Sequence, residues 1–370
     1  MNTIEIKIDE NDIDEELISQ AGEIIKAGGL VAFPTETVYG LGGDALNPES
    51  SAKIYAAKGR PSDNPLIVHI ADMKDLEVVA QNIPPQAYRL ADAFWPGPLT
   101  MIFQKKDIVP KETTGGLNTV AVRMPSHKTA LAFIRAAGGF VAAPSANVSG
   151  RPSPTLAKHV AEDMGGRIDM IIDGGAVEIG LESTIIDLSD CKEEPTILRP
   201  GYITKKMMEQ VIGVVSVDAA IVADEVSNAR KTTQHIEDDN GDSIKKQAPR
   251  APGMKYKHYA PKGDLSVVKG NEKDVVAYIN TEIISKSAAG EIVGVIATDE
   301  TMQLYHGGVV RSIGTRTDEE SIARHLYSVL REFDEVGATR IYSEEFNMPR
   351  IGQAIMNRLI KAAGHSIIQT

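Results

Sequence analysis

One cysteine in 370 residues, Cys191, excludes an internal disulfide and any zinc site built on cysteines. Aromatic residues are scarce at 5%, with a single tryptophan, so the core is expected to rest on Val, Ile, Leu and Ala. No apolar run nears the roughly 18 residues of a membrane span. The acidic start, Met1–Glu16, lacks the basic-then-apolar order of a signal peptide. A cytoplasmic protein is the expectation, consistent with the lone thiol. Basic charge is also short. Lys and Arg total 39 against 51 Asp and Glu, a net charge of −12. A broad nucleic-acid surface needs many cations and is disfavoured, although a local basic site stays open. There is no G-x-x-x-x-G-K-[ST] phosphate loop, no G-x-G-x-x-G after a strand, no H-E-x-x-H and no G-x-S-x-G elbow.

What is present is a chain of two-domain length, taking about 150 residues per domain. Hydrophobic residues at 42% and charged residues at 24% are ordinary for a globular protein. Residues 1–212 read as a mixed α/β domain. The helical spacing of Glu15–Lys26 is followed by Gly28 and Gly29, suited to a left-handed cap, and Leu30–Phe33 then reads as a short buried strand. Asn47-Pro48 supplies a cap and first turn for a helix running to Lys58. Leu66–Ile70, Leu99–Phe103, Val120–Arg123, Phe140–Ala143, Met170–Ile172 and Ser183–Leu188 read as further strands. Residues 213–262 read as a linker. Its stretch 224–250 is too polar to bury a core, and it ends in APGMKYKHYAP at 251–261. Residues 263–370 alternate strand and helix and read as a smaller α/β domain.

The candidate chemistry lies in loops at strand ends. PTETVYGLGG (34–43) carries Thr35, Thr37 and three glycines that would let a backbone approach a ligand; the alternative is a plain strand-end turn. KGRPSDNPLIVH (58–69) places Lys58, Arg60 and Asn64 around two prolines. Lys58 there is either a helix-dipole complement or part of a rigid phosphate wall. His69 is either a satisfied structural histidine or a pocket residue. Arg123 closes TVAVR (119–123) as a surface charge or a carboxylate clamp. APSANVSGRPSP (143–154) offers Ser145, Asn147 and Ser153. Ser183 precedes a strand and Arg199 ends one. Such loops are rich in cations and hydroxyls and poor in acid. They suit binding and orienting an anion better than supplying a nucleophile.

Together these segments resemble the threonylcarbamoyl-AMP synthases of the YrdC-like superfamily, in their long two-domain form. The resemblance rests on PTETVYGLG (34–42), KGRPSDNPLIVHI (58–70), WPGPLT (95–100), AVRMP (121–125), APSANVSGRPSPT (143–155), ESTIID (182–187) and LRPG (198–201). The family's K-x-R and S-x-N signature stands at Lys58, Arg60, Ser145 and Asn147. APGMKYKHYAP is similar to the long form's linker motif, and AIMNRLIKAA (354–363) to the end of its C-terminal domain.

The resemblance implies a twisted α/β sheet around a concave basic cavity, followed by a small Rossmann-like α/β domain. It implies that L-threonine, bicarbonate and ATP give L-threonylcarbamoyladenylate and pyrophosphate. A separate, transiently met transferase would then modify tRNA beside the anticodon, so contact with tRNA is indirect. ATP is a substrate, and magnesium is expected across its phosphates without assigned protein ligands. ATP contacts are expected from Lys58, Arg60, Asn64, Thr119, Ser145, Asn147, Ser153, Arg199 and Tyr259. Threonine contacts are expected from Thr35, Thr37, His69, Arg123, Ala143 and Ser183. Tyr256 and His258, with Tyr259, would form a lid. The main rival is an RNA-binding module of the same fold without adenylating activity, and the net charge weighs against it. A hydrogenase-maturation carbamoyl-adenylate domain would bring cysteine-rich zinc fingers, which one cysteine excludes.

Overall fold

The computed structural model describes residues 2–190, 193–219, 221, 251 and 258–370. Twelve described strands build the first sheet: β1 (Ile4–Lys7), β2 (Val31–Phe33), β3 (Gly40–Asp44), β4 (Ile67–His69), β5 (Ala80–Gln81), β6 (Leu99–Lys105), β7 (Thr119–Arg123), β8 (Val141–Ala143), β9 (Met170–Asp173), β10 (Thr184–Asp187), β11 (Thr196–Arg199) and β12 (Ser216–Val217). Their order is β1-β9-β2-β3-β8-β4-β7-β6-β10-β11-β12, with β5 on β6, and parallel and antiparallel pairs are mixed. The second sheet is parallel throughout: β13 (Asp264–Lys269), β14 (Val293–Ala297), β15 (Val309–Ser312), β16 (Arg340–Glu344) and β17 (Ile367–Gln369), ordered β15-β14-β16-β13-β17. The expected α/β architecture with a second, smaller α/β unit is therefore present.

Local chemistry fixes the helices that position the site. Asp14 caps Glu15–Lys26 by accepting from the amides of Glu16 and Leu17. Asn47 caps Pro48–Lys58, and Gly59 ends it in the left-handed conformation at φ 60°. Three features depart from expectation. The loop read over 34–43 is half strand, since Gly40–Asp44 pairs antiparallel with both β2 and β8. Its glycines answer to crowding within the sheet: a Cβ on Gly42 would lie 2.8 Å from Val141 Cγ1, and one on Gly40 3.1 Å from the Phe33 ring. Within the span read as linker, Ser216–Val217 extends the first sheet by pairing parallel with β11. Pro85–Phe94 and Lys205–Ile212 are helices that the apolar spacing did not announce.

The two units share packing. Val38 and Leu181 of the first lie in the same buried cluster as Tyr259, Leu326, Tyr327 and Leu359.

Candidate functional site

One row of backbone partners crosses five strands. His69 on β4 pairs with Arg123 on β7, Arg123 with Thr100 on β6, Thr100 with Ile185 on β10, and Ile185 with Arg199 on β11. Four strand spacings of about 4.8 Å make a path of roughly 19 Å along the sheet from His69 to Arg199, and despite a bulge beside Ile185 both residues line the same cavity. The cavity is concave and opens over this row, with about 720 Å³ of empty space including its mouth.

Thirteen of the expected residues line it: Thr35, Thr37, Lys58, Arg60, His69, Arg123, Ala143, Ser145, Asn147, Ser183, Arg199, His258 and Tyr259. Asn64, Thr119 and Ser153 are not on the wall. The Asn64 carbonyl accepts from Arg60 Nε at 3.3 Å, and its side-chain Oδ1 is buried with no hydrogen-bond partner among the described residues. Thr119 begins β7, about 13 Å along the strand from Arg123. Ser153 is fully buried and donates to Glu182 Oε1 at 2.6 Å. Tyr256 lies outside the described residues.

Lys58, Ser145 and Asn147 of the K-x-R and S-x-N signature form one hydrogen-bonded network, with Arg60 held separately. Lys58 is buried at the end of its helix and donates to the carbonyls of Ser145 and Asn147. Ser145 Oγ donates to Asn147 Oδ1 at 2.6 Å. Burial holds the Lys58 amine well below the usual lysine range, and Arg60 adds to the shift. It fastens the 145–147 loop and also lines the cavity, so it is not a surface dipole complement. Arg60 is held by the carbonyls of Asn64 and Pro65, and burial lowers it to about 10, a guanidinium still charged at neutral pH.

On the opposite side, Thr35 Oγ1 and Thr37 Oγ1 lie 2.9 Å apart in a turn closed onto Val38 O. Burial, with Arg123 beside it, lowers His69 to about 3, so the imidazole is neutral; protonated at Nδ1, it donates to Ile67 O at 3.1 Å. Arg199 donates to Ser183 O at 3.0 Å and to Ser183 Oγ at 3.1 Å, while Ser183 Oγ meets Thr100 Oγ1 at 2.7 Å. His258 and Tyr259 close one side. The amide of Ala260 donates to Gly150 O at 2.8 Å, and the Tyr259 ring stacks 5.2 Å from Tyr327.

Two carboxylates belong to the site although the loops read as poor in acid. Glu36 pairs with Arg123 at 2.7 Å, and Glu182 lines the cavity. Both sat inside quoted motifs, but nothing in the local pattern distinguished them from solvated charges. Tyr327 and Arg358, which bond Glu182, were read as site residues by no motif, although Arg358 sits inside the quoted AIMNRLIKAA.

The fold and the cavity define a two-unit α/β protein that gathers guanidinium groups and hydroxyls around a space of ligand size. A family model described as "Telomere recombination" matches residues 23–201, and one described as "Threonylcarbamoyl-AMP synthase, C-terminal domain" matches 203–364. The chain is 45% identical to the threonylcarbamoyl-AMP synthase of Pyrococcus abyssi, over 99% of each chain. It is also 45% identical to that of Bacillus subtilis, over 98% of this chain and 97% of the other. A crystal structure of Pyrococcus abyssi Sua5 complexed with L-threonine matches all of both chains with a TM-score of 0.88 at 44% identity. The chain belongs to the threonylcarbamoyl-AMP synthase family.

Proposed function

We propose that the protein makes L-threonylcarbamoyladenylate from L-threonine, bicarbonate (or CO2) and ATP, with release of pyrophosphate. The observation that carries this reading is the register row with a guanidinium toward either end, Arg123 beside His69 and Arg199 at the far strand. Threonine is read at the Arg123 end and ATP between Arg60, the 145–147 loop and Arg199. The path of roughly 19 Å along the row accommodates both substrates side by side.

The chemistry asks for alignment more than for a side-chain nucleophile. The threonine amine and bicarbonate condense to a carbamate with loss of water. A carbamate oxygen then attacks the α-phosphorus, the bond to the β-phosphate's bridging oxygen breaks, and pyrophosphate leaves with that electron pair. Guanidinium groups draw charge from the phosphates, and the fastened loops hold the reactants in line. Arg123 suits the amino acid's carboxylate, which a guanidinium binds through two parallel bonds. Neutral His69 and Thr37 offer hydrogen bonds to the substrate hydroxyl, and such a pocket rejects analogues that lack it. Among the described residues, no group of three His, Cys, Asp or Glu side chains is placed to hold a metal ion. Magnesium accompanying ATP would bridge the phosphates, ligated mostly by ATP and water. His258 and Tyr259 shield the cavity, which protects a hydrolysable mixed anhydride from water. A transferase acting on the adenosine beside the tRNA anticodon would consume the product. Among the described residues no helix is long and apolar enough to cross a membrane.

Pyrophosphate release from ATP tests the reading, with threonine and bicarbonate omitted in turn. Release that needs all three substrates is expected. Release without threonine, or none with all three, rejects it.

A further inference from the structure

One set of buried polar contacts between the two units meets a wall of the cavity. Glu182 enters β10 and lines the cavity, yet its carboxylate is held from behind. Tyr327, on the helix Glu319–Glu335, donates its hydroxyl at 2.9 Å from each carboxylate oxygen. Arg358, on the helix Gly352–Ala362, donates from Nε to Oε2 at 3.0 Å. Arg358 also reaches the carbonyls of Glu182 and Pro200, bracketing the loops on either side of Arg199 and Ser183. Tyr327 and Arg358 are fully buried, so this contact is part of the core rather than a surface bridge. Close approach is built in: Gly180, at φ +80°, has no room for a side chain, since a Cβ there would sit 2.5 Å from the Cα of Arg324 on the same helix as Tyr327. Burial alone would push the Glu182 carboxyl up, but Arg358 and Arg199 bring it below the usual carboxylate range.

A buried carboxylate on the wall of a phosphate-binding cavity is a liability. It repels the triphosphate, and it competes for Arg199. We propose that Arg358 and Tyr327 are positioning residues for the nucleotide side of the cavity, holding Glu182 back and offsetting its charge so that Arg199 faces the phosphates. The second unit thereby completes the site instead of being an appended module. The inference rests on the assignment of ATP to this cavity.

The test is calorimetric titration of the full chain with ATP and, separately, with threonine. Wild type, R358Q, E182Q and R358Q/E182Q are compared. R358Q leaves a buried charge uncompensated, and ATP affinity should fall at least about ten-fold while threonine affinity changes less than about two-fold. Adding E182Q removes that charge and should restore ATP affinity to within about three-fold of wild type. A fold defect from a lost structural contact would not be rescued in this way. Unchanged ATP affinity in R358Q, equal weakening of both ligands, or a double variant no better than R358Q overturns the inference. If R358Q does not fold, Y327F carries the test, because it keeps the ring and removes only the hydroxyl. A loss of ATP affinity rescued by E182Q is then expected, and no loss or no rescue overturns it. Failure of the wild type to bind ATP would instead reject the assignment on which the inference rests.

Discussion

The guanidinium of Arg123 lies 2.7 Å from the carboxylate of Glu36, and both side chains are almost wholly buried. The group best placed to clamp an amino acid's carboxylate thus already holds one from its own chain, while its Nε faces Gly97 O at 3.4 Å. On the proposed reading, substrate and Glu36 would share one cation. Arg123→Ala should weaken threonine binding about ten- to hundred-fold, the size of a lost charge-assisted pair, and leave ATP binding within about three-fold. Calorimetry with each ligand checks this, and equal weakening of both counts against the clamp.

The converse variant separates competition from orientation. Glu36→Gln withdraws less charge from Arg123, so threonine should bind more tightly by a few-fold. The free protein should lose stability, because a buried guanidinium is left without its counter-charge until substrate arrives. Urea unfolding with and without threonine measures both. Weaker threonine binding would show instead that Glu36 orients Arg123.

Lys58 joins its helix to the 145–147 loop through two backbone carbonyls. Lys58→Met leaves both carbonyls buried without a donor, at about 1–3 kcal/mol each. The expected result is a lower urea midpoint together with lost ATP binding. Full stability with lost ATP binding would mean that the amine contacts nucleotide directly.

Acid should destabilise the protein well before its carboxylates titrate. His69, His159 and His258 are each lowered from 6.5 to about 3, mainly by burial and next by guanidinium neighbours: Arg123, Arg331 and Arg60 respectively. Between those values the unfolded chain binds protons that the folded chain does not, so stability falls as pH drops from about 6.5 toward 3. Each histidine contributes up to about 1.4 kcal/mol per pH unit. Glu182, whose folded carboxyl lies below its ordinary value, adds a loss of the same sign at the acid end. Urea midpoints at pH 7.5, 6 and 5 should descend, and a flat profile would show that these rings are not buried neutral.

Removing residues 251–261 takes away His258 and Tyr259 and opens one side of the cavity. Synthesis should be abolished, or product hydrolysis should rise, as followed by the ratio of adenylate to AMP. Unchanged turnover would leave these rings as a docked connector only.

Much of the architecture was legible because it is local. Helix Pro48–Lys58 was announced by its own Asn47-Pro48 cap and first turn. The glycines at 40, 42 and 43 were visible but their separate reasons were not: Gly40 lines the cavity, whereas Gly42 is crowded by Val141 across the sheet. A glycine demanded by Val141 or Phe33 across a sheet looks the same in sequence as one that admits a ligand. Ser153 was singled out for its side chain, and in the fold that hydroxyl is spent on Glu182 behind the wall, which no local pattern shows.

The sequence by itself determined the inventory: the cations, hydroxyls and rigid loops, and the order in which they come. Only the tertiary structure decided who meets whom. Strand register carries His69, Arg123 and Arg199 to one cavity although they are far apart in the chain, and no local pattern encodes register between distant strands. The same holds for Glu182 with Tyr327 and Arg358, more than 140 residues away. A charge in the sequence shows its sign, whereas its partner, and so whether it binds substrate or braces the wall, depends on what folding brings within 3 Å of it.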